Sequence, residues 1–107
     1  MQSQAVTEAA RTGHVLIVAN WEAKEGEADH VTTILQRFLS QAQAEPGVKL
    51  FLIGRGKDNP ATFLFYELFA DDAAFKAHQA SEHFKTLIAA DAVPRLAKRE
   101  RAQYVLL

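Results

Sequence analysis

His78 and His83 are the two side chains of this sequence best suited to acid–base chemistry. An imidazole has an unperturbed pKa of roughly 6.5, so it can accept or donate a proton near neutrality. His78 follows an apolar run, residues 63–69, and the pair Asp71 and Asp72, so it lies where an apolar layer gives way to polar residues. We therefore predict His78 as the proton-handling group of a catalytic site, and His83 as a further hydrogen-bonding group beside it. The alternative is a structural role, in which His78 bonds a backbone carbonyl or Glu67 and ties helix to sheet, and His83 lies at a helix start capped by Ser81.

Asn20 is a second polar candidate, near the end of an earlier apolar stretch. Its amide either bonds a neighbouring strand end or loop, or holds an oxygen atom of a ligand in a cavity. Aromatic side chains lie near both candidates in the sequence and are suited to lining a flat apolar pocket. The predicted lining consists of Trp21, Phe65, Tyr66, Phe69, Phe75, Phe84 and Leu87. Most of these rings equally fit a hydrophobic core.

Other kinds of site find little support in the sequence. His78 and His83 would point about 140° apart on an ideal helix, so no metal site is predicted unless the helix bends at Ser81. The chain has no cysteine, which excludes disulfides, thiolate metal sites and cysteine nucleophiles. The segment 54–56 lacks the third glycine and the following helix of a phosphate-binding loop.

The periodicity of the apolar residues predicts one α+β domain. Strands are expected at 14–22, Val48–Arg55, Thr62–Phe69 and 102–107, because these runs are rich in β-branched and aromatic residues. Steps of three and four predict helices from residue 28 to 42 and over 71–80 and 82–93, with a bend near Ser81. The order β-α-β-β-α-β is that of a ferredoxin-like antiparallel sheet. Residues 1–13 are predicted as a flexible arm with a helical turn at 7–11, and 14–107 as the domain.

The predicted strands are apolar on both faces, whereas the helices can cover only one. The uncovered face would be too large an apolar patch for a stable monomer. We therefore predict a homodimer through the sheet face, a dimeric α+β barrel. Phe51→Asp would break this dimer if Phe51 lies on that face.

The charge distribution narrows the range of partners. The chain of 107 residues is 49% hydrophobic and has a net charge of −1, so nucleic-acid binding is not expected. No apolar run approaches the roughly 20 residues of a membrane helix, and the first 13 residues do not form a signal peptide. A cytoplasmic protein is therefore expected. Residues 95–101 are basic, which suits either the end of a helix or the binding of an anionic substrate.

Several short motifs resemble the antibiotic biosynthesis monooxygenase (ABM) family of dimeric α+β barrels. They are Ala19-Asn20-Trp21-Glu22, Glu45-Pro46-Gly47, Phe65-Tyr66-Glu67 with Ala70-Asp71, Ala77-His78, and Ser81-Glu82-His83-Phe84-Lys85. The family includes oxygenases that need no cofactor and convert quinols or anthrones into quinones, as well as haem-degrading enzymes and isomerases. The haem-degrading branch has an Asn at the end of the first strand, and Asn20 matches that position. It also has a Trp and an axial His, at positions that look like Phe69 and Ile88 in this chain, so haem is not expected.

The resemblance implies a cofactor-independent monooxygenase that oxidises a small quinol- or anthrone-like aromatic with O₂. His78 would handle the proton and Asn20 would hold a phenolate or carbonyl oxygen. The other hypothesis is a dimeric small-ligand binding or stress-response module without turnover. The two differ in whether His78 and Asn20 face one cavity, and in whether that cavity admits a two- or three-ring aromatic.

Overall fold

The computed structural model describes the backbone of residues 2–107 and the side chains of residues 7–107. In chain order the elements are α1 (Gln2–Thr12), β1 (Val15–Ala23), α2 (Ala28–Gln43), β2 (Val48–Arg55), β3 (Thr62–Phe69), α3 (Asp72–Ala80), α4 (Phe84–Ala92), a 3₁₀ turn (Val93–Arg95) and β4 (Leu96–Tyr104). The helix α4 is wound in the wider π manner. The elements that follow α1 keep the predicted order β-α-β-β-α-β.

The four strands form one antiparallel sheet in the order β2-β3-β1-β4. The first and third strands of the chain pair at the centre, with Ala19 opposite Phe65. The last strand pairs with the outer side of β1, with Ala19 opposite Arg101. This is the ferredoxin-like α+β arrangement, so the predicted fold class is confirmed.

The main core lies between the sheet and the helices α2, α3 and α4. Successive residues of a strand point to opposite faces, so Ile17, Ala19 and Trp21 enter this core while the residues between them do not. Phe51 is also on the helical side and is 2% exposed. Phe51 therefore does not lie on the uncovered face of the sheet, and Phe51→Asp is not a test of a sheet-to-sheet dimer.

The opposite face of the sheet is only partly covered. Helix α1 packs Ala9 against Leu16 and Leu68 there. Leu52 and Leu64, at 52% and 48% exposure, lie outside this contact. The helix α1, Gln2–Thr12, is longer than the single turn predicted at 7–11. Met1 lies outside the described residues. The division of the chain after residue 13 stays a prediction.

The last strand begins six residues earlier than predicted. The segment Lys98-Arg99-Glu100-Arg101 lacks apolar alternation, so the sequence pattern did not indicate a strand there. Its backbone nevertheless pairs with β1, because ladder hydrogen bonds do not depend on side-chain type. Charged side chains are common on such an edge strand, where they oppose association with other chains. The interpretation of 95–101 as the basic end of a helix is therefore wrong for Leu96 onward.

The connection from β3 into α3 is fixed by Asp71. Its backbone is extended and its side chain accepts a hydrogen bond of 2.8 Å from the amide of Ala74, as an N-cap does. The helix ends at Ser81, whose backbone is again extended (φ −66°, ψ 151°), so the predicted bend near Ser81 is confirmed.

Replacement of Asp71 by alanine should lower the free energy of unfolding by about 1 kcal/mol, because the amide of Ala74 loses its acceptor. Asp71→Asn keeps an acceptor and should lose less. Asp72→Ala, one residue further on, serves as the matched control, because Asp72 does not occupy the cap position. Urea denaturation of the four proteins tests this, and equal losses for the two alanine variants would contradict the cap.

Candidate functional site

His78 lies in the last turn of α3 and is 2% exposed. Four aromatic rings surround its imidazole at centroid distances of 5.2 to 5.7 Å, those of Phe38, Phe51, Phe69 and Phe84. This desolvation lowers the pKa of His78, while the hydrogen bond and the charge of Glu45 act in the opposite direction. With its pKa below 6.5, His78 is mostly neutral at pH 7.

One carboxylate oxygen joins the two histidines. The turn after α2 places Glu45 so that its Oε2 accepts hydrogen bonds from Nδ1 of His78 at 2.8 Å and from Nε2 of His83 at 2.6 Å. The expected divergence of the two imidazoles is therefore wrong. The extended backbone of Ser81 interrupts the helix and turns His83 back toward the same acceptor.

A second carboxylate faces the other nitrogen of the imidazole. Oε1 of Glu67, on β3, lies 3.8 Å from Nε2 of His78. The side chain is buried, and this desolvation raises the pKa of Glu67 to about 7. The positive charge of Arg101 lowers it and the negative charge of Glu45 raises it, both to a smaller extent. Glu67 thus changes protonation state near neutrality, as a general acid or base should.

His78 and Glu67 lie at the inner end of a pocket between the sheet and the helices. Aromatic rings and three side chains of β4 form its walls. The lining residues are Ala19, Trp21, Phe38, Phe51, Phe65, Phe75, Gln79, Phe84, Ile88, Arg99, Glu100 and Arg101. The guanidinium carbon of Arg101 lies 5.3 Å from the ring centre of Phe75 at the rim. The cavity measures ≈ 40 Å³, which is room for water but not for an aromatic ligand.

The structure brings most of the predicted site residues together. Trp21, Phe65, Phe75, Phe84 and His78 all line the pocket. Phe69, fully buried, lies next to His78 but is not part of the lining, and Leu87 is also a core residue. His83 contacts the site through Glu45 and does not line the pocket.

Asn20 and Tyr66 lie on the opposite face of the sheet. Asn20 is one residue beyond Ala19, and Tyr66 one beyond Phe65, so strand alternation turns both away from the pocket. Asn20 borders an open depression beside Glu22 and Lys98 instead. Within one chain Asn20 and His78 therefore do not face a common cavity, which was one of the two features that distinguish the enzyme from the binding module.

Five charged residues of the site were not named individually as site residues: Glu45, Glu67, Arg99, Glu100 and Arg101. The last three lie in the basic segment 95–101, for which binding of an anionic substrate was one of the two interpretations. Glu67 had a usable signal, because it shares the apolar strand face of Phe65 and Phe69 and must then be buried. Glu45 stood in a segment that was interpreted only as a helix stop. Its contact with His78 spans 33 residues of sequence, which local patterns do not show.

Glu45, His78 and His83 are also the residues best placed to hold a metal ion, since their ligand atoms lie within 4.8 Å of one another. A tetrahedral ion with bonds of about 2.0 to 2.1 Å would separate its ligand atoms by roughly 3.3 Å. The observed separations from Glu45 Oε2, 2.8 and 2.6 Å, are those of hydrogen bonds. The cluster therefore fits two N–H donors on one acceptor better than it fits an ion.

The family model for antibiotic biosynthesis monooxygenases matches residues 14–90, which is most of the chain. The chain belongs to the ABM family. The match includes β1 to β3, α2, α3 and most of α4, and therefore Glu45, Glu67, His78 and His83. The predicted family is thus confirmed.

Solved structures agree with the ABM assignment at the level of the fold. A protein from Pseudomonas aeruginosa superposes with a TM-score of 0.83 at 23% identity, over 89% of this chain and 95% of that one. A conserved protein from Methanosarcina mazei Go1 gives 0.83 at 18% identity, over 94% and 99%. A structure described as an antibiotic biosynthesis monooxygenase gives 0.81 at 20% identity, over 87% and 98%. No curated protein matches the chain.

Within residues 2–107, no helix is both long and apolar enough to cross a membrane.

Proposed function

We propose that this ABM protein is a cofactor-independent monooxygenase that oxidises a small quinol- or anthrone-like aromatic with O₂. One observation carries the proposal: a buried acid–base pair, Glu67 and His78, at the inner end of an aromatic-lined pocket. A buried carboxyl group lowers stability unless hydrogen bonds or an opposite charge offset its desolvation. Its placement beside an imidazole therefore supports a catalytic site over a purely structural core.

The pair suits the first step of such an oxidation. An O–H or activated C–H bond of the substrate breaks, and its proton moves to Nε2 of His78, which is mostly neutral at pH 7. The substrate anion transfers an electron to O₂, and the two radicals combine as a peroxide. The peroxide anion takes the proton back from His78, which restores the neutral imidazole. The hydroperoxide then loses water as the remaining C–H bond of the same carbon and the O–O bond break, so one oxygen atom enters the product as a carbonyl group and the other leaves as water.

The rim can stabilise the anion that this step produces. Within residues 7–107, neither Arg99 nor Arg101 forms an ion pair. Both line the pocket, and their charges act on Glu67 at its inner end. A guanidinium group that is not engaged in an ion pair would lower the energy of a phenolate or enolate in the transition state.

A ligand of two or three rings needs more room than ≈ 40 Å³, so the rim must open to admit it. Phe75 and Phe84 are only partly buried, and Arg101 is exposed, so these side chains can move without breaking the main core. The small volume of the cavity is the observation that favours the second candidate, a binding module whose natural ligand is smaller than these aromatics.

Oxygen uptake in metal-free buffer tests the proposal, with a panel of quinols and anthrones. Wild-type protein should consume O₂ faster than the uncatalysed reaction with at least one member, in proportion to protein concentration. Chelator-treated and untreated protein should give the same rate. A rate equal to background across the panel, together with saturable binding of small ligands, would favour the binding module instead.

We further propose that two copies associate through the open face of the sheet. Leu52 and Leu64 are about half exposed there, next to the partly buried Val18 and Tyr66, and α1 covers only part of this face. Burial of such a surface against a second copy would remove apolar area from water.

Leu64→Asp should convert the dimer into a monomer, because it places a charge at the centre of the proposed contact. Ala97→Asp, an exposed position on the edge strand β4, is the control. Sedimentation velocity over a range of concentrations measures the outcome. Equal sedimentation of wild type and Leu64→Asp would contradict the proposed face.

A further inference from the structure

The geometry points to Glu45 as the residue that orients the proposed base. We propose that Glu45, held in place by His83, keeps the proton of His78 on Nδ1, so that the unprotonated Nε2 faces Glu67 and the pocket. The position of the proton on His78 is a property of the resting protein. Only its consequence, the direction of proton transfer, rests on the proposed function. Neither the family match nor the structural neighbours assign Glu45 or His83 a role.

The argument starts from the hydrogen-bonding capacity of a carboxylate. An ionised carboxylate only accepts hydrogen bonds, so a nitrogen at 2.8 Å from Glu45 Oε2 must carry a proton. That nitrogen is Nδ1 of His78. A neutral imidazole has one N–H group, so Nε2 then has a free lone pair.

The second step is the environment of Nε2. It lies 3.8 Å from Oε1 of Glu67, and His78 lines the pocket. A proton that leaves a bound substrate would therefore meet a lone pair at this end of the ring. Had the proton been on Nε2, the ring would present a donor to the pocket and could not act as a base there.

The third step is the role of His83. Its Nε2 donates to the same oxygen of Glu45 at 2.6 Å, and its side chain is partly exposed at the outer side of the cluster. This second donor fixes the carboxylate, because Glu45 would otherwise rotate among several positions. The groups that act on His78 are thus Glu45 from the turn, His83 from beyond the bend and Glu67 from β3.

When His78 accepts a proton it becomes an imidazolium, and the negative charge of Glu45 stabilises it. Glu45 need not be protonated at any point, as is the case for the orienting aspartate of serine proteases. Glu45 is accordingly a positioning residue, since it acts on the substrate only through His78.

The test is long-range ¹H–¹⁵N NMR of protein labelled with ¹⁵N-histidine, which distinguishes a protonated from an unprotonated ring nitrogen. His78 is assigned by its absence from the spectrum of His78→Asn. At pH 7.5 we expect His78 with its proton on Nδ1 and a free Nε2. A proton on Nε2 with a free Nδ1 would overturn the inference, whatever the activity of the protein.

Variants test the consequence for the reaction. Glu45→Gln should yield a mixture of the two proton positions and lower kcat by about 10- to 100-fold with little change in KM, while Glu45→Asp should recover part of the loss. Glu82→Gln makes the same chemical change at an exposed position and should behave as wild type. Loss of stability in Glu45→Gln with the proton still on Nδ1 and unchanged kcat would show a structural role only and overturn the inference. If wild type consumes no O₂ at all, the proposed function fails, and the NMR result alone decides the position of the proton.

Discussion

Replacement of His78 by asparagine should lower kcat for oxygen consumption by about 10²- to 10⁴-fold, the usual contribution of a general base. The amide of asparagine can still donate a hydrogen bond to Glu45, but it cannot take a proton from the substrate. KM should change little, because the aromatic walls of the pocket and the rim arginines remain in place. Initial rates of O₂ uptake at saturating substrate measure the effect.

The control for this variant is His30→Asn, which makes the same substitution at an exposed position on α2. Both variants need thermal melts alongside the kinetics, because His78 is buried and a loss of folded protein would imitate a loss of catalysis. If a fully folded His78→Asn variant has the kcat of wild type, the protein is an enzyme but His78 is not its base.

Glu67→Gln should raise the free energy of unfolding above pH 7 by about 3 kcal/mol relative to wild type, the equivalent of the pKa shift of Glu67. Burial raises the pKa of Glu67 from 4.5 to about 7, so between these values the folded chain holds a proton that the unfolded chain has released. The wild type therefore loses stability as pH rises through this window. Glutamine is neutral at every pH and does not incur this loss.

The measurement is the free energy of unfolding of both proteins between pH 4 and 8.5. The difference between them should be small at pH 4.5, grow up to about pH 7 and then stay constant. The lowered pKa of His78 has the opposite sign, with stability lost as pH falls below 6.5, and it contributes to the pH dependence of both proteins. A difference that is independent of pH would show that Glu67 does not bind its proton as proposed. A gain in stability on replacing Glu67 would be an example of the trade-off between stability and activity that is common at functional sites.

The sequence predicted the layered fold well because the elements are encoded locally. The steps of three and four in α2, the uniformly apolar β3 and the cap at Asp71 each depend on neighbours in sequence. The strand β4 was placed wrongly because Arg99 and Arg101 have no strand pattern of their own and are strand residues only through pairing with β1. The extent of α1 also depended on a distant contact, that of Ala9 with Leu68.

The candidate site divides in the same way. His78 and the aromatic lining were found because residue type and spacing suffice for them. The pairing of His78 with Glu45 depends on tertiary structure, as does the return of His83 after the bend. Asn20 was misplaced for a different reason, because a strand with two apolar faces does not reveal which parity faces the helices.

The turn that contains Glu45 also contains Gly47, whose carbonyl accepts a hydrogen bond of 2.8 Å from the amide of Ala70. A side chain at Gly47 would collide with Ala74 on α3, the helix that carries His78. The distance between Glu45 on the turn and His78 on the helix is thus set by Gly47 and Ala74, which have no functional groups in their side chains. Evolution could abolish the chemistry of this protein through Gly47 or Ala74 alone, with every reactive side chain still in the sequence, so an inventory of reactive residues would not distinguish an active relative from an inactive one.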